Sequence, residues 1–464
     1  MPDSARAGTA WPAVLAATLC GIVVAMNIGK LPIVLPQLRG EFGLSLTAAG
    51  WLAAAFSMLA MVCGMPIGIL ADRIGAQRFC LFGLAASLCG GLLGLAGASA
   101  NLLLISRLIE GIGFLSVSVS APALVTAASA PSQRRITLGI WSTYMPAGAS
   151  LVTLLAPLLI ARGGWHSLWW LVLVLLALSI CSVALQRRHY SGATARRHAG
   201  MADIRGALHQ PVPWLLTLAF AAYALQFFAV VIWLPTFLQE QRAFSPAAIA
   251  VLSALVIAVN VPGNLVGGAL LHRHVNRGRL IAAASLVMGL AGLGIFSDWL
   301  PDPLRYVCCL LLTGVGGVIP VAVLSSSVVL AANPQQIGTL QGLYLQGSNL
   351  GQFAGIPLIA AIVAATGQWS SALAVTASAS VISIVLGLIV ARRIKCLLQN
   401  DPAHALRRLQ FLFRLGRAAA VPGAARQAGR GAARDGRYHL LHRRQLRSQA
   451  IRRQHGNIRP PGAA

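Results

Sequence analysis

Three ionisable side chains interrupt segments that are otherwise apolar. Lys30 lies in "AMNIGKLPIVLP", one helical turn after Asn27, and Arg107 and Glu110 lie in "LLLISRLIEGIGFL". A spacing of three puts Arg107 and Glu110 on one helix face, where they can pair. Two chemistries are open to them. The pair can be purely structural, or Glu110 can open to a cavity, where its protonation weakens its hold on Arg107 and frees that cation for a ligand, coupling a proton to binding. Lys30 is one of two lysines in the chain, the other being Lys395. It can snorkel to the headgroups or face a cavity and bind an anion. A charge at membrane depth costs at least about 2.5 to 3.5 kcal/mol, which makes these groups the first candidates for function.

Uncharged polar residues form a second tier. On one stretch Gln341, Tyr344, Ser348 and Gln352 share a helix face, with Asn349 beside it, while Gly347, Gly351 and Gly355 recur every four residues as a close-packing face. In an apolar segment the polar stripe must turn inward, either to line a cavity or to bond a neighbouring helix. Tyr144 before Pro146, Gln226, Asn260 and Asn264 are further candidates of this kind. No phosphate loop of the form G-x-x-x-x-G-K-[ST], no H-E-x-x-H and no nucleophilic triad is present. The eight cysteines lack metal-ligand spacing. An enzyme is therefore not expected, and no cofactor or metal is implied.

The elements that position these residues follow from composition. With 57% hydrophobic and 10% charged residues and a mean hydropathy of +0.74, the chain must keep its surface in lipid. Apolar runs long enough to cross a bilayer fall near 12–36, 49–70, 79–99, 102–128, 138–161 and 167–186, then 213–238, 246–271, 280–297, 303–330, 338–364 and 370–391. The expected class is an all-α polytopic membrane protein. Trp11 to Gln37 reads as a retained first span, since no small-residue cleavage site follows it.

The formal charge of +26 raises nucleic acid as a partner, but the arginines are placed otherwise. Arg73, Arg78, Arg134, Arg135, Arg187, Arg188, Arg273, Arg277 and Arg279 fall in every second loop, whereas the alternate loops carry Glu41, Glu240, Asp298 and Asp302. This is the positive-inside pattern with both termini cytoplasmic. It points to a multi-pass protein of a bacterial inner membrane with membrane lipid, and no nucleic acid, as its surroundings.

The two sets of six spans also repeat. "LPQLRGEFGLS" (35–45) matches "LPTFLQEQRAFS" (234–245), "GIG" (111–113) matches "GVG" (314–316), and "RGGWHSL" (162–168) matches "TGQWSSA" (366–372). A tandem duplication follows, with two six-helix repeats around a central cavity. The expected organisation is a bundle over 1–186, a cytoplasmic linker over 187–212, a second bundle over 213–395 and a basic tail over 396–464. From Asp401 onward the chain has fourteen arginines, no lysine and two acids. It opens with a possible interfacial helix, "DPAHALRRLQFLFRLGRAAA", and is otherwise expected to be disordered; it could hold to anionic lipid, and it also has the composition of an out-of-frame reading of a GC-rich gene.

Between the second and third runs stands "GILADRIGAQRF" (68–79). Its Gly68, Asp72, Arg73, Gly75 and Arg78 resemble the G-x-L-x-D-R-x-G signature of the major facilitator superfamily, and Arg107 with Gly111 and Gly113 resembles that family's second motif. The resemblance covers residues 12 to about 395. It implies the six-plus-six fold and a monomer, and it implies that Asp72 meets the positive end of span eleven and latches a cytoplasmic gate. "MNIGKLP", "STYMPAG" and "QGSNLGQF" are similar to the cyanate and nitroimidazole permease-like branch. There are departures: position 76 is Ala, the second-half copy "GGALLHRHVNRGR" lacks the Asp, and span five lacks the Gly-Pro-x-x-Gly-Gly pattern of many drug/proton exchangers.

The expected function is a secondary transporter moving a small solute by proton-coupled alternating access. The favoured substrate is a small anion, because Lys30 and Arg107 outnumber Glu110. A drug/proton antiporter and a non-transporting sensor or scaffold are the alternatives.

Overall fold

In lipid every backbone N–H and C=O must be satisfied within the segment, so runs of this length and composition fold as helices. The computed structural model describes residues 8–97, 99–190, 200–296, 300–333 and 336–400, without the side chains of 68, 69, 72, 73, 135 and 395–400. Among the described residues every regular element is helical. Twelve helical segments are long and apolar enough to span a bilayer: Trp11–Phe42, Leu46–Ile67, Ala76–Leu95, Ala100–Ala128, Ile136–Gly163, His166–Leu185, Pro211–Arg242, Pro246–His272, Arg277–Phe296, Asp302–Leu330, Gln336–Thr366 and Trp369–Ile394. They are called spans one to twelve below. The last helix continues to Asn400, past the expected end of span twelve; the tail from 401 lies outside the described residues.

The duplication is visible in how equivalent helices begin and end. Spans one and seven have equal length and both close on a left-handed residue, Gly43 at φ 59° and Ala243 at φ 48°. Spans two and eight then start from equivalent serines: Ser45 Oγ accepts from Ala48 N–H, and Ser245 Oγ from Ala248 N–H. Such caps satisfy backbone donors that the first turn of a helix leaves free.

Helix continuity differs between the halves. Span five is two helices, Arg134–Trp141 and Tyr144–Gly163. Span eight breaks at Val259 and span ten at Gly317 and Ser325, whereas spans two and four, their first-half counterparts, are unbroken.

Small residues decide which helices touch. Gly347, Gly351 and Gly355 of span eleven lie against Thr217, Ala221 and Leu225 of span seven, so closely that a Cβ at any of the three would collide. The halves meet along spans two and eleven, where Gln346 Nε2 donates to the Met61 and Val62 carbonyls at 3.2 and 3.0 Å. They also meet where Ser150 Oγ of span five donates to the Ala254 carbonyl of span eight. At the end where span one closes, Arg39 pairs with Glu240 of span seven.

Candidate functional site

Span one carries Lys30 and span four carries Glu110, and the two meet inside the first half. The Lys30 Nζ donates to Glu110 Oε1 at 2.6 Å, and Arg107 Nη1 donates to Glu110 Oε2 at 2.5 Å. Lys30 and Glu110 are fully buried and Arg107 is 2% exposed. This burial takes Lys30 away from the headgroup level that a snorkelling side chain would reach. Glu110 thus bridges two cations from two helices, one on each carboxylate oxygen, and one positive charge is left over.

Two aromatic faces complete the cluster. The Trp169 ring of span six lies 4.1 Å from Lys30 Nζ, and the Phe56 ring of span two lies 4.6 Å from the Arg107 guanidinium carbon. Each such contact contributes about 0.5 to 2 kcal/mol, more when desolvated. Trp169 is held edge-on against Trp165, whose Nε1 donates to Glu41 at 2.8 Å. Phe56 packs against Phe114.

The backbone approaches as closely as glycine permits. A Cβ on Gly90 of span three would crowd the Glu110 backbone and Cγ, and one on Gly94 would strike Ser106 Oγ and Trp169 Nε1. Ser106 Oγ donates to the Gly90 carbonyl at 2.7 Å, pinning span four to span three beside Glu110. A Cβ on Gly111 would collide with the Phe56 carbonyl, which fixes the aromatic ring under Arg107.

One turn before Lys30, Asn27 is fully buried, and both its amide atoms lack a hydrogen-bond partner among the described residues. The same holds for Arg107 Nε and Trp169 Nε1. A buried unpaired amide or guanidine N–H costs about 1 to 3 kcal/mol, more where the group is charged. The cluster therefore holds donors and acceptors in excess of its own needs. Chemically it can exchange one oxyanion for another: any carboxylate-like group that reached Lys30 and Arg107 would compete with Glu110 for the same donors.

A family model described as Major Facilitator Superfamily matches residues 17–356. The chain belongs to the Major Facilitator Superfamily. It is a multi-pass membrane transporter of small solutes, not an enzyme, as the sequence led us to expect. It is 25% identical over 284 residues to the "Probable sulfoacetate transporter SauU" of Cupriavidus necator, covering 57% of this chain and 66% of that protein. It is 26% identical over 373 residues to the 2-nitroimidazole transporter of Escherichia coli, covering 78% of this chain and 91% of that one. Drug-export proteins match over shorter stretches, about a third of their length. A crystal structure of a bacterial homologue of the human lysosomal transporter Spinster, inward-facing and unoccupied, superposes with a TM-score of 0.66 at 16% identity over 90% of this chain and all of that one. That likeness establishes the six-plus-six fold.

Within this superfamily member the second-tier residues are dispersed. Gln226 is tied to span twelve by Ser380 Oγ, which donates to Gln226 Oε1 at 2.7 Å. Asn260 Nδ2 donates to the Tyr223 hydroxyl and to the Thr313 carbonyl, and Asn264 donates back to Asn260. Tyr344 is fully buried and accepts from Ser326 Oγ at 3.0 Å. Asn349 donates to the Leu345 carbonyl of its own helix, Gln352 is buried and Ser348 is half-buried. Gln341, expected on the inward stripe, is exposed. Tyr144 stacks on Trp141 and donates to Ser118 Oγ at 3.0 Å beside the break in span five.

Of the signature residues, Gly75 takes φ 94° at the junction of two helices, a conformation glycine adopts without strain, and Arg78 is exposed. The side chains of Gly68, Asp72 and Arg73 lie outside the described residues. Trp169, Phe56, Gly90 and Gly94 were not among the sequence candidates. Gly90 and Gly94 stand in the run "CGGLLG" and Trp169 in the doubled tryptophan of "HSLWW"; Phe56 carried no signal.

Proposed function

We propose that this transporter carries a small organic oxyanion, a carboxylate or sulfonate, across a bacterial inner membrane by proton-coupled alternating access, with both termini cytoplasmic. The observation that carries this reading is the Glu110 carboxylate shared between Lys30 and Arg107. Glu110 occupies the place of a substrate oxyanion. Protonation of Glu110 releases both cations, and the incoming anion replaces its charge. The buried Asn27 amide supplies further hydrogen bonds to the same ligand.

Charge balance supports the coupling. The empty cluster holds one net positive charge; adding a proton and a monoanion returns the same value, so a loaded site is no harder to bury than an empty one. Tyr144, Tyr344, Ser348, Asn349 and Gln352 remain the candidates for the facing wall, with Gln226 and Asn260 as helix ties near it. Gly68, Asp72, Arg73, Gly75 and Arg78 are assigned to the cytoplasmic gate.

A drug/proton antiporter is the second reading, since exporters are among the relatives. It would use Glu110 to recognise cations, and two cations already bound to that carboxylate oppose it. Uptake into proteoliposomes separates the readings. An inwardly directed proton gradient should drive a labelled small monoanion, a sulfonate or a carboxylate, inward; exchange of protons for a lipophilic cation, with no anion flux, would favour the antiporter.

A further inference from the structure

A line of contacts joins the cluster around Glu110 to the end where span one closes. Glu41, exposed in the last turn of span one, accepts from Trp165 Nε1 at 2.8 Å. The Trp165 ring meets Trp169 edge-on at 5.0 Å, and the Trp169 ring lies 4.1 Å from Lys30 Nζ. Both indoles are buried. Gly164, at φ 63°, supplies the turn just before Trp165, a conformation in which a side chain would be strained. Trp169 Nε1 has no hydrogen-bond partner among the described residues. Packing, Lys30 and Trp165 therefore set the position of that ring.

The second half shows that closing this corner does not require such a line. With the repeat landmarks aligned, Trp369 stands where the first half has Trp165, but Leu373 replaces Trp169, Ala229 replaces Lys30 and Gln241 replaces Glu41. Trp369 packs on the rings of Trp233 and Phe237, both at 6.0 Å. The second indole and the carboxylate occur together in the half that carries the buried lysine.

We propose that Trp165 is a positioning residue that carries the state of the Glu110 cluster to the Arg39–Glu240 pair. Arg39 and Glu41 share the last turn of span one, the first bound to the other half and the second to Trp165. A lysine that leaves Glu110 for an incoming anion withdraws its charge from the Trp169 face. Edge-on aromatic pairs and cation–π contacts depend on orientation, so the change passes to Trp165 and through Glu41 to that turn. Loading the cluster thereby loosens the pair that joins the halves. This role rests on the reading of Glu110 as the exchange site given above, whereas the contacts themselves do not.

Two measurements on the full-length protein test it. Lys30 and Lys395 are the only lysines, so lysine labelled with carbon-13 at Cε gives two NMR signals, assigned with Lys395→Arg. The Trp169 ring current should displace the Lys30 signal. Glu41→Leu and Trp165→Phe each break the bond between Glu41 and Trp165 and should move that signal toward the Lys395 position; Glu41→Gln keeps an acceptor and should leave it in place. A signal unmoved by Glu41→Leu and Trp165→Phe, or moved as far by Glu41→Gln, would overturn the proposal. In hydrogen–deuterium exchange, Lys30→Met should raise exchange in residues 238–246 by up to about fivefold, the most that an exposed ion pair holds back, and should add nothing in a Trp165→Phe background. No rise in the first case, or the same rise in both, would overturn it too. Neither measurement uses a substrate, so both can be read even if no oxyanion is carried. The lysine spectrum stands if Lys30→Met fails to fold, and Glu41→Leu, at an exposed site, serves if Trp165→Phe does.

Discussion

Lys30 and Arg107 hold opposite oxygens of one buried carboxylate, Glu110, from two different helices. Neither cation reaches water, and each rests on an aromatic face. Taking charges out of water is expensive, and a buried pair repays the cost only when geometry and hydrogen bonds are good. The cluster is therefore sensitive to loss of any one member.

Glu110→Gln leaves two buried cations without a counter-charge. The expected loss of stability is about 3 to 5 kcal/mol, typical for breaking a buried ion pair. A saturating oxyanion should restore more of the melting temperature in this variant than in the unmodified protein, because it supplies the missing charge. Thermal unfolding with and without the anion measures both. Equal shifts in the two proteins would count against substrate replacing Glu110.

Lys30→Met should weaken anion binding by tenfold or more, about 1.4 kcal/mol or above, while Lys30→Arg keeps part of it. Combining Lys30→Met with Glu110→Gln should cost less stability than the sum of the single changes, since the pair disappears together. A double-mutant cycle on melting temperatures reads this coupling. Additive losses would mean that the 2.6 Å contact carries no energy of its own.

Arg39 and Glu240 join spans one and seven across the two halves, and both are partly exposed. An exposed pair contributes about 0 to 1 kcal/mol, enough to shift an opening equilibrium up to about fivefold. Glu240→Gln should raise hydrogen–deuterium exchange in residues 36–45 and 238–246 by up to that factor, and the charge-swapped double variant should reverse it. High salt should weaken the effect. Unchanged exchange in Glu240→Gln would remove the pair as a latch.

Gly111→Ala places a methyl against the Phe56 carbonyl. Overpacking of this kind costs about 1 to 3 kcal/mol, and here it must displace the ring beneath Arg107. Anion affinity should fall along with stability. A variant that lost stability with affinity intact would show that Phe56 does not help position the guanidinium.

The spans were legible because apolar length is a strong signal; the helices of the structure agree with the sequence reading to within a few residues at most ends. The duplication was legible from "LPQLRGEFGLS" and its copy, and it reappears in the paired caps at Gly43 and Ala243. The Arg107–Glu110 pair could be read from its spacing. Its third member could not, because Lys30 reaches Glu110 across eighty residues of chain, and no local pattern records that distance. Gly90 and Gly94 looked like any span glycines until Glu110 and Trp169 were seen against them. Breaks in spans five, eight and ten also went unread; at the break in span ten the Thr313 carbonyl accepts from Asn260 Nδ2 as well as from Gly317 N–H, a contact no local pattern records.

The central claim is that a substrate oxyanion and a proton enter the cluster together, the anion taking the donors that Glu110 releases. Titration calorimetry of a small monoanionic sulfonate or carboxylate in buffers of different ionisation enthalpy counts the protons taken up on binding. The account predicts one proton per anion for the unmodified protein and none for Glu110→Gln. No uptake in the unmodified protein, or the same uptake in both, would contradict it.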